Sequence, residues 1–101
     1  MKMIKILAVD DHEMTTLGYK FILEDTQFED YSVQVDTAKS FQEAQGKINN
    51  SLQSFPYDIL LLDIQLGPST EGTIKTGEDL GIWARKTSPD SLIVFMSSFS
   101  A

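Results

Sequence analysis

The sequence predicts an α/β fold with three layers, in which helices cover both faces of a parallel sheet. Its hydrophobic segments alternate between short runs and longer stretches with helical spacing, and this alternation is typical of strand and helix units in turn. The apolar run in "YDILLLDI" does not alternate with polar residues, which indicates a strand buried on both faces. The chain has 101 residues, of which 42% are hydrophobic and 23% charged, so it suits one globular domain with one modest core.

The first half of the chain predicts two strands, each followed by a helix. The run "IKILAVDD" is short, apolar and closed by acids, and we assign it to strand one. A helix follows from about Glu13 to Asp25, because one helical face collects apolar residues and a glycine. This stripe consists of Met14, Leu17, Gly18, Phe21 and Ile22. Strand two, "YSVQVDTA", alternates with polar residues and is expected near a sheet edge. Ser40, with Glu43 three residues later, predicts the capped start of a second helix that ends near Ser54.

The second half predicts two more strands with a helix between them. Strand three is "YDILLLDI", placed centrally because of its apolar character. A loop rich in Gly, Pro, Ser and Thr follows, and then "EDLGIWARKT" has the pattern of a short third helix. Pro89 bars its continuation, and "SLIVFMSS" is the fourth strand.

Charge and composition exclude several classes of function. Fifteen acidic and eight basic residues give a net charge of −7, which argues against direct nucleic-acid binding and favours a cation or a basic partner surface. The chain has no cysteine, so disulfides, thiolate metal sites and thiol nucleophiles are excluded. The apolar runs are far shorter than the ~20 residues of a membrane helix, and the start "MKMIKILAVDD" lacks a secretory signal. We therefore expect a cytoplasmic protein without a membrane contact.

Strands one, three and four end in carboxylate or hydroxyl side chains. Strand one ends in Asp10 and Asp11, strand three in Asp63, and strand four in Ser97 and Ser98. The carboxyl ends of parallel strands lie along one sheet edge, where such folds bind their ligands, so these side chains should converge. Three carboxylates together require a compensating cation, and a donor set made of oxygens suits Mg²⁺. The pattern therefore points to phosphoryl transfer.

Each acidic residue also has a simpler interpretation. Asp11 could cap the first helix, and Asp63 could be a polar residue where a strand enters a loop. His12 follows the acidic pair and could be proposed as a metal ligand or a general base, but a turn residue at the start of helix one is the favoured interpretation, and we leave it out of the site. The joint placement of Asp10, Asp11 and Asp63 at the correct strand ends favours a site.

The stretches "ILAVDDHEMTTLGYKFIL", "YDILLLDIQL" and "LIVFMSS" resemble, in order, the receiver domain of two-component response regulators. The resemblance covers nearly the whole chain and implies the flavodoxin-like α/β/α fold with strand order 2-1-3-4. The sequence "VDDH" with Gly18 six residues after His12 is similar to the NarL/LuxR-type class, which usually joins a receiver to a helix-turn-helix DNA-binding domain.

The resemblance implies a role for each matching residue. Asp63 matches the aspartate that accepts a phosphoryl group from the phosphohistidine of a sensor histidine kinase or phosphotransfer protein. Asp11 matches the direct Mg²⁺ ligand and Asp10 its acidic neighbour. The resemblance also makes Asp63 a metal ligand, and the backbone carbonyl of Gln65 a third protein ligand. Ser97 matches the hydroxyl that binds the new phosphoryl oxygen and acts as the switch, with Ser98 as the alternative. Such a domain is a phosphoacceptor with self-catalysed phosphotransfer and autodephosphorylation at most, and is not otherwise an enzyme.

Two departures from the family pattern stand out. The loop from Gly67 to Gly77 is longer than usual, and could be a lid, a partner contact or a tolerated insertion. The family continues through a fourth helix, a fifth strand with an essential lysine, and a fifth helix, whereas this sequence ends at Ala101. We therefore expect residues 1–101 to be one receiver domain that lacks the fifth strand. Strand four would be an exposed apolar edge through which the chain could form a homodimer.

Two other classes were compared with this hypothesis. A haloacid-dehalogenase-like phosphatase requires a second aspartate two residues after its nucleophile, where this chain has Gln65. The more serious alternative is a receiver-like interaction or dimerisation module that is not phosphorylated.

Overall fold

The computed structural model describes residues 2–26, 29–64 and 77–96, which form a four-stranded parallel sheet with three helices. The elements in chain order are β1 (Lys2–Val9), α1 (Glu13–Asp25), β2 (Tyr31–Ala38), α2 (Phe41–Ser51), β3 (Ile59–Asp63), α3 (Gly77–Thr87) and β4 (Leu92–Met96). The strand order is β2-β1-β3-β4, and every neighbouring pair is parallel. The predicted fold class and strand order are confirmed, and none of the helices in these ranges is long and apolar enough to cross a membrane.

The two central strands, β1 and β3, fix the register of the site. Val9 at the end of β1 lies beside Ala38 of β2 and Leu62 of β3. The backbone N–H of Asp10 then donates to the carbonyl of Ala38 at 3.0 Å, so the pairing of β1 extends one residue further. The residues that follow Val9 and Leu62 are therefore neighbours at the same end of the sheet.

One face of the sheet, which we call the closed face, is covered by α2 and α3. Its core consists of fully or almost fully buried residues from the central strands, both helices and the segments next to them: Leu7, Val9, Ala38, Phe41, Ala44, Ile48, Tyr57, Leu60, Leu62, Leu80 and Ala84. This cluster holds most of the buried hydrophobic residues in the described ranges, and burial of apolar surface is the main favourable term in folding. The closed face therefore contains the principal core.

The opposite face, which we call the open face, is covered by α1 alone. Ile6, Ala8 and Val35 are buried there, with Tyr19 and Leu23 of α1 packed against them. On the half of this face formed by β3 and β4, the side chains are only partly covered. Ile59 and Leu61 of β3 are partly buried there, and Leu92 and Val94 of β4 are 61% and 37% exposed.

Helix α1 has the predicted bounds, but its predicted apolar stripe is not the side that packs on the sheet. Met14, Phe21 and Ile22 of that stripe are 82%, 69% and 66% exposed. The packed side carries Thr16, which is buried. Tyr19 and Leu23, three and seven residues later, lie on the same side of the helix and pack against the sheet. A helix can present either stripe, so its spacing alone does not decide which one faces the core.

The rotation of α1 is held by polar contacts with the outer edge of β2. The ammonium of Lys20 donates to the carbonyl of Val35 at 2.9 Å, and the carboxylate of Glu24 accepts from the N–H of the same residue at 2.8 Å. Lys47 of α2 donates to the carbonyl of Thr37. These bonds occupy backbone groups that an edge strand otherwise leaves open to pairing. The β2 edge is therefore protected by side chains.

The other helix starts and ends differ slightly from the predictions. The hydroxyl of Ser40 accepts from the N–H of Glu43 at 3.1 Å, which confirms the predicted cap of α2, but the helix ends at Ser51 and not near Ser54. Residue His12, not Asp11, is the N-cap of α1, and its side chain makes no capping bond. The interpretation of Asp11 as a helix cap is therefore wrong.

Candidate functional site

The carboxylates predicted to converge do meet at the carboxyl ends of β1 and β3. Asp10 follows the last residue of β1, and Asp63 is the last residue of β3. Both are almost fully buried, at 2% and 1% exposure, whereas Asp11 is exposed. These three carboxylates and the imidazole of His12 each offer one ligand atom, and the four atoms lie within 4.8 Å of one another. We call these four residues the acidic cluster. The predicted site residues Gln65 and Ser97, and Ser98, lie outside the described residues.

The imidazole of His12 contacts the carboxylates of both preceding residues. Its Nδ1 lies 3.0 Å from Oδ1 of Asp10 and 3.0 Å from Oδ1 of Asp11. The hydrogen bond with Asp10 raises the pKa of His12 above its usual value, and the negative charges of Asp11 and Asp10 add to this effect. Sequence reasoning left His12 out of the site. Its position directly after two acids was the available signal, but that position alone does not show where the ring points.

The turn between β1 and α1 also orients the Asp10 carboxylate. Its Oδ1 accepts the backbone N–H of His12 at 2.9 Å and contacts the ring Nδ1 at 3.0 Å. Two contacts on one oxygen fix how this buried side chain is turned. The sequence "DDH" thus provides both carboxylates and a backbone donor that holds one of them.

Gly77, the first residue of α3, packs directly against the backbone that carries Asp63. A Cβ atom at this position would lie 1.7 Å from the carbonyl oxygen of Asp63 and 2.6 Å from its carbonyl carbon. Gly77 also donates its N–H to the carbonyl of Ile64 at 3.3 Å. Only glycine permits this approach, because any side chain would have to displace backbone atoms. Sequence reasoning placed the helix start one residue later and missed this contact.

The donor set of the acidic cluster fits a divalent cation. Carboxylate oxygens are the preferred ligands of hard cations such as Mg²⁺, which takes one or two carboxylates and keeps several waters. Two of the three carboxylates are nearly inaccessible to solvent, so their mutual repulsion is poorly screened and favours a bound positive charge. Asp10, Asp11 and Asp63 are the residues that would hold the ion.

A cavity of about 650 Å³ lies at the other end of the sheet and is a separate feature. It is lined by residues near the start of β1 and the segment before β3, among them Met3, Lys5 and Phe55. The ammonium of Lys5 in β1 donates to the carbonyl of Phe55 at 2.9 Å and lies 4.6 Å from the ring centre of Tyr57. The cavity lining includes one carboxylate, Asp58, whose Oδ2 accepts from the N–H of Lys5. The acidic cluster at the opposite end is therefore the better candidate for phosphoryl chemistry.

Comparison with solved structures identifies proteins with the same fold. A response regulator receiver domain protein from Clostridium thermocellum has a TM-score of 0.72 and 23% identity, covering 93% of this chain and 64% of that chain. The two component transcriptional regulator AraC from Clostridium phytofermentans has a TM-score of 0.63 and 26% identity, covering 96% of this chain and 68% of that one. The MaeR response regulator bound to beryllium trifluoride has a TM-score of 0.66 and 19% identity, covering 97% of this chain and 70% of that one.

No protein-family model and no curated protein matches the sequence. The chain spans somewhat less than two thirds of the Clostridium thermocellum protein, and the matched structures come from different kinds of response regulator, so they do not resolve the NarL/LuxR subclass. The chain nevertheless has the fold of a response regulator receiver domain, with an acidic cluster at the carboxyl ends of its two central strands.

Proposed function

We propose that this chain is a phosphoacceptor receiver domain in which Asp63 is the residue that becomes phosphorylated. The observation that carries the proposal is the position of Asp63. It is the last residue of a central strand, 1% exposed, and shares a cluster of 4.8 Å with two further carboxylates on a receiver fold. A lone buried carboxylate would be costly, whereas a carboxylate beside a cation site is a nucleophile placed for phosphoryl transfer.

In the proposed reaction, a carboxylate oxygen of Asp63 forms a bond to the phosphorus of a phosphohistidine on a sensor histidine kinase or phosphotransfer protein. The P–N bond breaks, its electron pair stays on the imidazole nitrogen, and that nitrogen takes up a proton. The product is an acyl phosphate. A bound Mg²⁺ supplies positive charge that offsets the charge of the phosphoryl oxygens. Asp10, Asp11 and Asp63 would hold the ion, with the backbone carbonyl of Gln65 as a further ligand.

The proposed switch and output extend beyond the described residues. The hydroxyl of Ser97 would donate to a phosphoryl oxygen on Asp63 and so couple phosphorylation to the conformation of the segment after β4. The output we propose is transcription regulation of the NarL/LuxR type, with the DNA-binding function outside residues 1–101. The support for this subclass is the sequence "VDDH" and the position of Gly18.

The test is phosphodonor labelling of the purified chain with acetyl phosphate and Mg²⁺, read by intact mass. We expect one added phosphoryl group, which is lost in Asp63→Asn and when the metal is chelated. The matched control is Asp90→Asn, which removes an exposed carboxylate in the turn before β4 and should retain the adduct. A folded wild-type chain that takes up no phosphoryl group would instead favour the interaction module.

We also propose that two copies of this chain can pair through the edge formed by β4. This strand is last in the sheet order, and its side chains Leu92, Val94 and Phe95 are 61%, 37% and 42% exposed. Among the described residues no strand lies beyond β4, whereas the β2 edge is protected by Lys20, Glu24 and Lys47. An apolar edge with open backbone groups is a template for strand pairing.

Light scattering after size-exclusion chromatography tests this pairing. We expect a dimer that dissociates on dilution, and a monomer for Val94→Lys, because a lysine at a strand edge opposes pairing. The control is Phe21→Lys, which places the same charge on the exposed side of α1. A wild-type monomer at high concentration, or loss of the dimer only in Phe21→Lys, would contradict the proposal.

A further inference from the structure

We propose that His12 is a nitrogen ligand in the metal site, so that this site prefers Zn²⁺ over Mg²⁺ more strongly than a site made of oxygens alone. This inference rests on the proposed function, because it concerns the ion held by Asp10, Asp11 and Asp63. Sequence reasoning placed His12 in a turn outside the site. The structure places its ring within the acidic cluster.

The distances within the cluster match those between neighbouring ligands of one ion. Ligands at about 2.1 Å from an octahedral ion lie about 3.0 Å apart when they are adjacent. The Nδ1 atom of His12 lies 3.0 Å from a carboxylate oxygen of Asp10 and 3.0 Å from one of Asp11. Ligands on opposite sides of such an ion lie about 4.2 Å apart. The four ligand atoms of the acidic cluster lie within 4.8 Å of one another, so they would have to move only slightly closer together to bind one ion.

The backbone explains why the ring lies at this point. His12 is the N-cap residue of α1, but its side chain does not cap the helix. Its N–H donates to Oδ1 of Asp10 at 2.9 Å, which ties the residue to the buried carboxylate. The side chain is 67% exposed, so packing in the core does not hold the ring against the acids. The turn thus presents Nδ1 towards the carboxylates and leaves the rest of the ring in solvent.

The chemistry of the donors determines which ions gain from this ring. Imidazole nitrogen suits Zn²⁺, whereas Mg²⁺ and Mn²⁺ favour oxygen ligands, and Mg²⁺ retains its waters. Removal of the ring should therefore weaken the binding of Zn²⁺ and have little effect on Mg²⁺ or Mn²⁺. Mutation of a residue that only orients a metal ligand typically lowers metal affinity 10- to 100-fold. Loss of the His12 ring, a direct ligand in this proposal, should therefore lower the affinity for Zn²⁺ by on the order of tenfold or more.

The experiment is calorimetric titration of the tag-free chain with Mg²⁺, Mn²⁺ and Zn²⁺ as chlorides, in wild type and in His12→Ala. We expect the Kd for Zn²⁺ to rise at least tenfold in the variant, and the Kd values for Mg²⁺ and Mn²⁺ to change less than about threefold, because both of these ions favour oxygen ligands. The control is Asp11→Asn, which should weaken all three ions because it removes a carboxylate common to them. Equal changes for the three ions in His12→Ala, or no change for any, would overturn the proposal.

A second measurement distinguishes metal binding by Nδ1 from a hydrogen bond between Nδ1 and a carboxylate, because a distance of 3.0 Å also suits an N–H···O bond. The chain has one histidine, so its ring signals in an NMR spectrum are assigned without ambiguity. Zn²⁺ should shift these signals in wild type in the same concentration range that saturates calorimetric binding. Ring signals that stay unchanged at saturation would overturn the proposal. Both titrations omit a phosphodonor, so their result does not depend on whether Asp63 is phosphorylated.

Discussion

The two faces of the sheet differ in how completely they are covered, and the candidate site depends on the better covered one. On the closed face, α2 and α3 bury a continuous core that includes Val9 and Leu62. These two residues directly precede the buried carboxylates Asp10 and Asp63. On the open face, α1 covers β1 and β2, while side chains of β4 remain exposed. The comparison indicates that the closed face holds the site in place and that the open face is available for further contacts.

Gly77→Ala should have the largest effect, because it pushes a closed-face helix against the backbone of Asp63. The added Cβ would lie 1.7 Å from a carbonyl oxygen, and neither backbone can move without disturbing the end of β3. We expect a loss of about 3 kcal/mol or more in the free energy of unfolding, measured in urea. We also expect reduced labelling of Asp63 under conditions where the variant is still folded.

The matched control for this change is Gly81→Ala, one turn further along α3. Its Cβ would meet the ring of Phe95 at 2.5 Å, but that side chain is 42% exposed and can rotate away. The loss of stability should therefore be clearly smaller than for Gly77→Ala. Equal losses of stability for the two variants would show that the close approach of Gly77 to the Asp63 backbone is no more restrictive than that of Gly81 to the Phe95 ring.

Leu62→Ala should be the next largest change, and Leu92→Ala its counterpart outside the core. Leu62 is fully buried in the closed-face core, so its truncation should cost about 2–5 kcal/mol. Leu92 is 61% exposed, and its truncation should change the stability of a monomer by about 0.5 kcal/mol or less. Urea unfolding at low protein concentration measures both. Similar costs would contradict the division into a closed and an open face.

Glu24→Gln tests the polar contacts that hold α1 on the open face. The hydrogen bond from the N–H of Val35, and then the bond from Lys20, lower the pKa of Glu24. A lowered pKa means that the ionised carboxylate contributes stability above the ordinary pKa of glutamate, and that this contribution is lost as the pH falls through the native pKa. We expect the variant to lose less than about 1 kcal/mol at neutral pH, because the side chain is partly exposed and screened.

The measurement is urea unfolding of wild type and variant at several pH values between neutral and acid. The difference between them should shrink as the pH falls below the ordinary pKa of glutamate. The control for the change in net charge is Glu29→Gln, an exposed carboxylate before β2. A difference for Glu24→Gln that stays constant with pH would argue against this role of its carboxylate.

Gly18→Ala should have the smallest effect, and it should be stabilising. Gly18 lies in the middle of α1, and a Cβ atom there would meet no other atom within 4 Å. Alanine lowers the conformational entropy of the unfolded chain and has a higher helix propensity, so stability should rise by about 0.5–1 kcal/mol in thermal or urea unfolding. A loss of stability would show that the exposed side of α1 is in contact with something.

The sequence predicted those features that depend on element order and strand ends. The strand order was predicted by the resemblance to receiver domains, and the convergence of Asp10, Asp11 and Asp63 follows from parallel strands whose carboxyl ends share an edge. The orientation of α1 could not be predicted, because two helical stripes were available and contacts of Lys20 and Glu24 with a distant strand hold the one observed. The spacing of residues within one helix does not predict contacts with another element.

The positions of His12 and Gly77 were missed for a related reason. The place of the imidazole depends on the direction of a turn that the Asp10 carboxylate fixes, and the need for glycine depends on how closely α3 approaches β3. Both are properties of the packed chain. Sequence alone identified the carboxylates of the site, and the structure identified the residues that orient them.

The most direct test of the central claim is chemical trapping of the phosphorylated residue. Borohydride reduces an acyl phosphate to an alcohol and leaves free carboxylates unchanged, so a phosphorylated aspartate becomes homoserine. After incubation with acetyl phosphate and Mg²⁺, followed by borohydride and peptide mass spectrometry, we predict homoserine at position 63 and at no other aspartate. Homoserine at a different position, or none in a folded wild-type chain treated in this way, would contradict the account.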